Sequence, residues 1–178
     1  MAHIQSYKSY FPKIAEDVFL AESATVIGQV EIGSKSSVWY NAVVRGDVGL
    51  LKIGERTSLQ DGVIVHCTTD ISETHIGNDV VVGHGAILHG CTIADEVLVG
   101  MGAILLDLCE IPSHTLIAAG ALIPEGKVLE AGYIYAGVPA KPIKRMTEEQ
   151  IDNILITANR YVGKARWYRE SQGAREEK

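Results

Sequence analysis

An aliphatic residue recurs at every sixth position through most of this chain, and this spacing restricts the folds open to it. A helix repeats its apolar face about every 3.6 residues and an ordinary strand about every second residue, so neither period explains the pattern. The residue four positions after each aliphatic is Ala, Ser, Thr, Val or Cys, with Lys127 as the exception. The aliphatic sites are Leu20, Val26, Ile32, Val38, Val44, Ile53, Leu59, Val65, Ile76, Val82, Leu88, Ile93, Val99, Leu105, Ile111, Ile117 and Ile123.

A hexapeptide that combines a large aliphatic with a small residue is typical of a parallel β-helix with triangular coils. Each hexad forms one short strand, and three hexads close one coil, with the aliphatic inside and the small residue at the tight corner. Successive coils pair like the strands of a parallel sheet, about 4.8 Å apart. We therefore predict an all-β fold in which residues 18–142 form a β-helix of about six coils.

The repeat also predicts loops and boundaries. Three extra residues separate Val44 from Ile53 and five separate Val65 from Ile76, so loops should leave the corners at these points. Residues 1–17 precede the repeat as an N-terminal segment. A capping box at residues 147–150 and an apolar stripe predict a C-terminal helix over residues 143–170, packed along the β-helix and followed by a tail over 171–178.

Composition excludes several classes of protein. With 47% hydrophobic and 21% charged residues the chain should be globular, and its net charge of −6 without a Lys/Arg run argues against nucleic acid. No apolar run approaches the ~20 residues of a membrane span, and the first residues lack the apolar stretch of a signal peptide. Cys67, Cys91 and Cys109 share no zinc-type spacing and are expected to be reduced packing residues. We expect a cytoplasmic protein that binds neither nucleic acid nor membrane.

Two histidines occupy matching places on successive coils. Arg45, His66 and His89 each directly follow an aliphatic, and these aliphatics are three hexads apart, so the three side chains should form one outward column. His66 and His89 should then lie about 4.8 Å apart at the backbone. Imidazoles at this spacing can converge on one metal ion with metal–nitrogen distances of about 2.0–2.1 Å. The competing interpretation is a pair of ordinary surface histidines.

A third histidine, His84, falls one side of the triangle away, in a column with Asp61 and Met101. It cannot join the other two within one chain. A three-fold assembly could place His84 of one chain against His66 and His89 of its neighbour, which predicts metal sites at subunit interfaces.

Four motifs together resemble the γ-class carbonic anhydrase family. The resemblance covers roughly residues 10–170 and is strongest to the short bacterial branch of ferripyochelin-binding-protein-like chains. The motifs are VVRGD at residues 43–47, LQDGVIVH at 59–66, GHGAILHG at 83–90 and AGVPAK at 136–141.

The resemblance implies a left-handed coil and a homotrimer with a zinc site at each interface. Arg45 and Asp47 are implied to join subunits and frame an anion site, although the residues alone also fit a structural salt bridge between subunits. The implied metal ligands are His66 and His89 of one subunit and His84 of the next, and the implied catalytic residues are Gln60, Arg45, Asp47 and Asp61.

The implied activity is the reversible hydration of CO₂ to bicarbonate by zinc-bound hydroxide. Zinc lowers the pKa of bound water to about 7, so hydroxide forms at neutral pH. Gln60 would orient the hydroxide and Arg45 would favour the anionic product. Imidazole ligands select weakly among metals, so Fe²⁺ or Co²⁺ could replace Zn²⁺.

The chain departs from the family pattern where relatives keep polar groups near the metal. Ser58 stands in place of an Asn and Val48 in place of a Glu, and the long acidic loop that carries the proton shuttle is missing. The short loop offers substitutes in Asp70, Glu73 and His75. Two other functions stay open: an acyl-CoA transferase or thioesterase of the hexapeptide-repeat type, and a non-catalytic trimer held together by metal.

Overall fold

A computed structural model describes residues 1–176, with side chains described up to residue 171. Residues 177–178 of the expected tail lie outside the described residues. The strands, in chain order, are β1 (His3–Gln5), β2 (Lys13–Ile14), β3 (Phe19–Leu20), β4 (Thr25–Ile32), β5 (Ser37–Val38), β6 (Val43–Ile53), β7 (Ser58–Leu59), β8 (Ile64–His66), β9 (Thr74–Ile76), β10 (Val81–Val82), β11 (Ile87–His89), β12 (Thr92–Ile93), β13 (Val97–Val99), β14 (Ile104–Leu105), β15 (Glu110–Ile111), β16 (Thr115–Ile117), β17 (Leu122–Ile123), β18 (Tyr133–Gly137) and β19 (Ala140–Arg145).

The strands stack on three faces of a triangular coil. Face 1 contains β1, the first parts of β4 and β6, and then β8, β11, β14 and β17. Face 2 contains β2, the later parts of β4 and β6, and then β9, β12 and β15. Face 3 contains β3, β5, β7, β10, β13, β16 and β18. Pairing within each face is parallel over about seven turns, and only the added strand β19 runs antiparallel, along β18, among the described residues. The predicted all-β parallel β-helix is confirmed.

The N-terminal segment is part of this solenoid. β1 and β2 both pair with β4 and so begin the coil before Leu20, where the predicted repeat starts. Ile14 of β2 lies six residues before Leu20 and pairs with Ile32, so it continues the repeat one step further toward the N-terminus. β1 does not show the pattern because it lies at the end of the stack, where most of residues 1–11 are exposed.

The aliphatic columns fill the interior as the repeat predicts. On face 1, Val44, Val65, Leu88 and Leu105 lie in register on successive coils and have no exposed surface. Burying each such side chain contributes roughly 1.5–3 kcal/mol, so every coil depends on the coils above and below it.

Backbone of positive φ turns the chain at the corners. Between faces 2 and 3, the third residue after the aliphatic adopts this conformation in every full coil, whether or not it is glycine. The residues there are Lys35, Arg56, Asp79, Glu96 and His114. The next residue, four positions after the aliphatic, points inward and is small, as the corner requires.

A single helix, α1 (Glu148–Glu176), follows the β-helix. The predicted capping box is confirmed: the Thr147 backbone N–H donates to Gln150 Oε1 over 3.1 Å, and the Gln150 N–H donates to Thr147 Oγ1 over 3.2 Å. The helix begins later than the expected residue 143 because β19 extends to Arg145. It also continues past the expected end at residue 170, so residues 171–176 of the expected tail are helical.

Helix α1 packs against face 3. It contacts β3, β5, β7 and β10, with Ile154, Ala158 and Ala165 buried. Tyr168 stacks edge-on against Trp39 with ring centroids 5.2 Å apart. Among the described residues, no helix has the length and apolar character needed to cross a membrane. Because α1 packs on β3, β5, β7 and β10, this part of face 3 is not available for a site on the β-helix.

The core column allows a direct test of this fold. Val99 is completely buried between Val82 and Ile117, so Val99→Asp would bury an unpaired charge and should abolish cooperative folding. The matched control Thr92→Asp places the same side chain on the exposed side of β12 and should fold. Thermal unfolding followed by far-ultraviolet circular dichroism distinguishes the two; a cooperative transition for Val99→Asp would contradict the columnar core.

Candidate metal centre

Two histidines from neighbouring coils of face 1 lie side by side. β8 and β11 pair in parallel with His66 directly opposite His89. His66 Nδ1 and His89 Nε2 are 3.2 Å apart, and the rings are tilted by 56°. The predicted outward column therefore places one nitrogen of each ring against the other.

The outer nitrogen of each ring faces a carboxylate. His66 Nε2 lies 2.9 Å from Asp47 Oδ1, and His89 Nδ1 lies 2.9 Å from Asp107 Oδ2. An ionised carboxylate only accepts hydrogen bonds, so each ring donates from this outer nitrogen. In a neutral imidazole the inner nitrogen is then a free lone pair. His66 Nδ1 and His89 Nε2 thus present two lone pairs to one point.

Both carboxylates are held in the ionised form. Burial raises the pKa of Asp47, but hydrogen bonds from His66 and Arg45 outweigh it, and the pKa lies below its ordinary value. Burial likewise raises the pKa of Asp107, and hydrogen bonds from Ser72 and His89 outweigh it. At neutral pH both groups are therefore acceptors.

The spacing of the inner nitrogens fits a tetrahedral metal ion. Two nitrogens bound to zinc at ~2.0–2.1 Å with tetrahedral angles are about 3.3 Å apart, close to the observed 3.2 Å. Within the described part of one chain, no three His, Cys, Asp or Glu side chains are grouped to hold a metal. One chain therefore offers two ligands.

Arg45 lies beside this pair and forms an ion pair with Asp47, two residues along β6. The sequence alone left open a salt bridge between subunits, whereas these two side chains pair within one chain. The same carboxylate thus holds the guanidinium with one oxygen and the His66 ring with the other.

His84 lies at the corner between faces 3 and 1. The Gly85 N–H donates to the Asp61 carbonyl and the Gly102 N–H to the His84 carbonyl, which stacks His84 between Asp61 and Met101 as expected. His84 Nδ1 lies 2.8 Å from Asp61 Oδ2, and about half of the His84 side chain is exposed. Its Nε2 is the nitrogen left for another partner.

Comparison with known proteins agrees with the family that the motifs resemble. No protein-family model matches the chain. A carbonic anhydrase of Geobacillus kaustophilus is 38% identical over 172 residues, which cover 97% of this chain and 94% of that protein. Mitochondrial gamma carbonic anhydrase 2 of Arabidopsis thaliana is 43% identical over 159 residues, which cover 86% of this chain. The chain belongs to the γ-class carbonic anhydrase family.

The coverage differs among γ-class relatives. The chain matches only 57% of the length of the Arabidopsis protein. Among solved structures, a hexapeptide transferase family protein from Anaplasma phagocytophilum superposes with a TM-score of 0.90 at 38% identity, over 93% of this chain and 98% of that chain. The fold is accordingly the left-handed β-helix of hexapeptide-repeat proteins.

Gln60, which matches the γ-class pattern, and Ser58, which departs from it, have different surroundings. Gln60 directly follows β7 and is buried. Its backbone N–H donates a hydrogen bond to the Val82 carbonyl of the next coil. Ser58 is also buried, but its hydroxyl accepts a hydrogen bond from Trp39 Nε1 over 3.0 Å beneath α1. Ser58 therefore supports the helix interface instead of facing the histidine pair.

The short loop after β8 carries the acidic residues that could accept protons in this γ-class chain. His75 Nε2 pairs with Glu73 Oε2 over 3.0 Å. Asp70 and Glu73 line an open pocket of about 330 Å³ together with Val48 and Ser72. Two carboxylates thus line the same pocket as Val48.

The sequence did not reveal Asp107 or Ser72 as site residues. Asp107 lies two positions after Leu105 instead of one, so it misses the outward column of His66 and His89. Its position at the same corner as His89, one coil further along, is the feature of the sequence that could have indicated a contact between the two side chains. Ser72 lies in a loop, where the repeat predicts no neighbours.

The cysteines have the inert surroundings expected of packing residues. All three are free and buried. Burial, with the nearby charges of Asp107 and Glu73, raises the pKa of the Cys67 thiol to about 11. A hydrogen bond with Cys109, together with burial, raises the pKa of Cys91 well above its ordinary value.

These thiols should resist alkylation in the folded protein, because all three are buried from the reagent and the thiolate, which is the nucleophile, is scarce at Cys67 and Cys91. At pH 7.5 we expect iodoacetamide to modify none of them on a timescale that labels all three after unfolding, as measured by intact mass. Thr69→Cys, which adds an exposed thiol two residues from Cys67, serves as the control and should react quickly. Equal labelling rates for Cys67 and the added thiol would contradict the burial argument.

Proposed function

We propose that this protein is a zinc-dependent γ-type carbonic anhydrase, a lyase that reversibly hydrates CO₂ to bicarbonate. The observation that carries the proposal is the pair of lone-pair nitrogens on His66 and His89, 3.2 Å apart, with each outer nitrogen turned to a carboxylate. Relatives that cover most of the chain and are named carbonic anhydrase support the same activity. Fe²⁺ or Co²⁺ is an alternative to Zn²⁺ because the donors are imidazoles.

The third ligand in this proposal is His84 from a second copy of the chain. His84 Nδ1 is engaged by Asp61, which leaves Nε2 as the nitrogen available to a metal. Exposed apolar side chains lie nearby, with Ile64 at 43% and Met101 at 58% exposure. Such a surface favours burial against another protein surface. Three copies around a three-fold axis would give a homotrimer with one site at each interface.

When bound, zinc would supply a Lewis acid that lowers the pKa of water to near 7. The protein residues then act on substrate and product. The Gln60 amide orients the attacking oxygen by a hydrogen bond, and the Arg45 guanidinium, held by Asp47, favours the bicarbonate anion. Asp61 holds the ring of His84 from behind.

Proton release is the slow part of this mechanism. Val48 cannot accept a proton, so protons must pass to solvent, to Asp70 and Glu73 of the loop, or to His75 in the next strand. Glu73 and His75 already pair with each other. The proposal therefore includes a strong dependence of the rate on external buffer.

Acyl transfer is the second candidate function. It is favoured by the likeness to a solved hexapeptide transferase family protein with a TM-score of 0.90. It gives no role to the convergent nitrogens of His66 and His89, which is why hydration is preferred. The third candidate, a non-catalytic trimer held by metal, shares the site but not the activity.

The proposal places the enzyme in the cytoplasm. The three cysteines are buried and unpaired, which fits a compartment that keeps thiols reduced.

A mixing experiment tests whether each site is shared between subunits. His66→Ala and His84→Ala chains should each lose zinc, whereas unfolding and refolding them together in equal amounts should restore about one quarter of the wild-type sites by random assembly. Zinc content is measured after gel filtration. The control mixture of His66→Ala with His89→Ala should restore none, because no chain then keeps both face 1 ligands. Equal restoration in both mixtures, or none in either, would overturn the shared site.

Stopped-flow CO₂ hydration tests the chemistry. Activity should disappear with a chelator, return with Zn²⁺ or Co²⁺, rise with pH through about 7, and increase with imidazole buffer concentration. Gln60→Ala should lower the rate at least about tenfold with unchanged zinc content, while the exposed control Gln5→Ala should leave both unchanged. A zinc-loaded protein that hydrates no CO₂ at any buffer strength, yet releases CoA from an acyl thioester, would replace this proposal with acyl transfer.

A further inference from the structure

Asp107 links a ring of the metal centre to the loop between β8 and β9. Its Oδ2 accepts the hydrogen bond from His89 Nδ1 over 2.9 Å, and its Oδ1 accepts one from Ser72 Oγ over 2.5 Å. Ser72 is held in turn, because its Oγ accepts a hydrogen bond from the Thr68 backbone N–H over 3.0 Å. Both oxygens of the carboxylate are thus fixed, and only 17% of its side chain is exposed.

The backbone next to His89 leaves room for this arrangement. Gly90 has φ +62°, and a Cβ built there would overlap with both Asp107 Oδ1 and Ser72 Oγ. Any other residue at this position would push the carboxylate and the hydroxyl apart. The glycine therefore permits Asp107 and Ser72 to meet beside the ring.

The tautomer of His89 decides whether the site is open. A neutral imidazole carries its proton on either nitrogen. If the proton were on Nε2, that nitrogen would donate a hydrogen bond to His66 Nδ1, only 3.2 Å away, and the two histidines would close on each other. A proton held on Nδ1 by Asp107 prevents this and leaves Nε2 free for a metal.

We propose that Asp107, braced by Ser72, is a positioning residue of the metal centre that keeps His89 in the Nδ1–H tautomer. The inference rests on the proposed function in one respect, that a metal binds between His66 and His89. It also gives the short loop after β8 a role, because that loop supplies Ser72, whose hydroxyl holds Asp107 in place. Orienting partners of this kind typically change metal affinity by about 10–100-fold when removed.

Nitrogen-15 NMR of the imidazole rings in the metal-free full chain tests the tautomer without any activity. In the wild type, the His89 signals, assigned by their loss in His89→Ala, should show a protonated Nδ1 and an unprotonated Nε2. In Asp107→Ala the proton should move to Nε2 in a large fraction of molecules. Ser72→Ala should shift the population in the same direction but less. Glu96→Ala is the control, because it removes a carboxylate from the His114 ring at a distant corner and should leave the His89 signals unchanged.

Zinc affinity, measured by competition with a chromophoric chelator, gives the second readout. Asp107→Ala should weaken binding by about 10–100-fold, Asp107→Asn should weaken it less because its carbonyl still accepts from Nδ1, and Glu96→Ala should have no effect. If Asp107→Ala fails to fold, the near-isosteric Asp107→Asn and the smaller change Ser72→Ala carry the same test.

The outcomes separate this inference from the proposed function. An unchanged His89 tautomer in the Asp107 and Ser72 variants, or wild-type zinc affinity in them, overturns the positioning role. A wild-type protein that binds no zinc overturns the proposed function, while the NMR result still decides what Asp107 does to the ring.

Discussion

The parallel hydrogen bonds between successive coils are the constraint on which the rest of the structure depends. They set one vertical spacing for every side chain on a face, inside and outside alike. Inside, this spacing stacks Val44, Val65, Leu88 and Leu105 into a continuous column. Outside, it places His66 against His89. The same backbone pairing therefore builds the core and places the backbones of two potential ligands opposite each other.

The helix and the corners determine which surface stays available. α1 packs on β3, β5, β7 and β10 of face 3, where Trp39 and Ser58 are used for packing, so this part of the sheet surface is not available for a site. The corner between faces 3 and 1 carries His84, one side of the coil away from the face 1 pair His66 and His89. Within the described part of one chain no third ligand joins this pair, so the proposed anhydrase would need a second chain to complete its site.

Much of the fold and of the candidate site could be predicted from the sequence, because a strict six-residue period fixes the place of each residue on the coil. Counting hexads was sufficient to place His66 opposite His89 and His84 beside Asp61. The count did not extend to residues where the period is interrupted: Ser72 lies in an insertion, and Asp107 is offset by one position from the column it serves. The strands β1 and β19 at the ends of the solenoid could not be predicted in the same way, because they pair through their backbones outside the six-residue series. Tautomers and ion pairs such as Arg45 with Asp47 depend on side-chain conformations that no spacing determines.

The loop between β8 and β9 has a consequence for protein engineering. It leaves and re-enters the solenoid at one corner, and β8 and β9 keep the register of their faces although five residues are inserted between the hexads. A longer acidic segment could therefore be grafted at this corner while the flanking coils keep their pitch. The graft point is restricted by a single hydroxyl: a replacement that discards Ser72 would also discard the brace on Asp107, so the new segment should be introduced between Thr68 and Ser72.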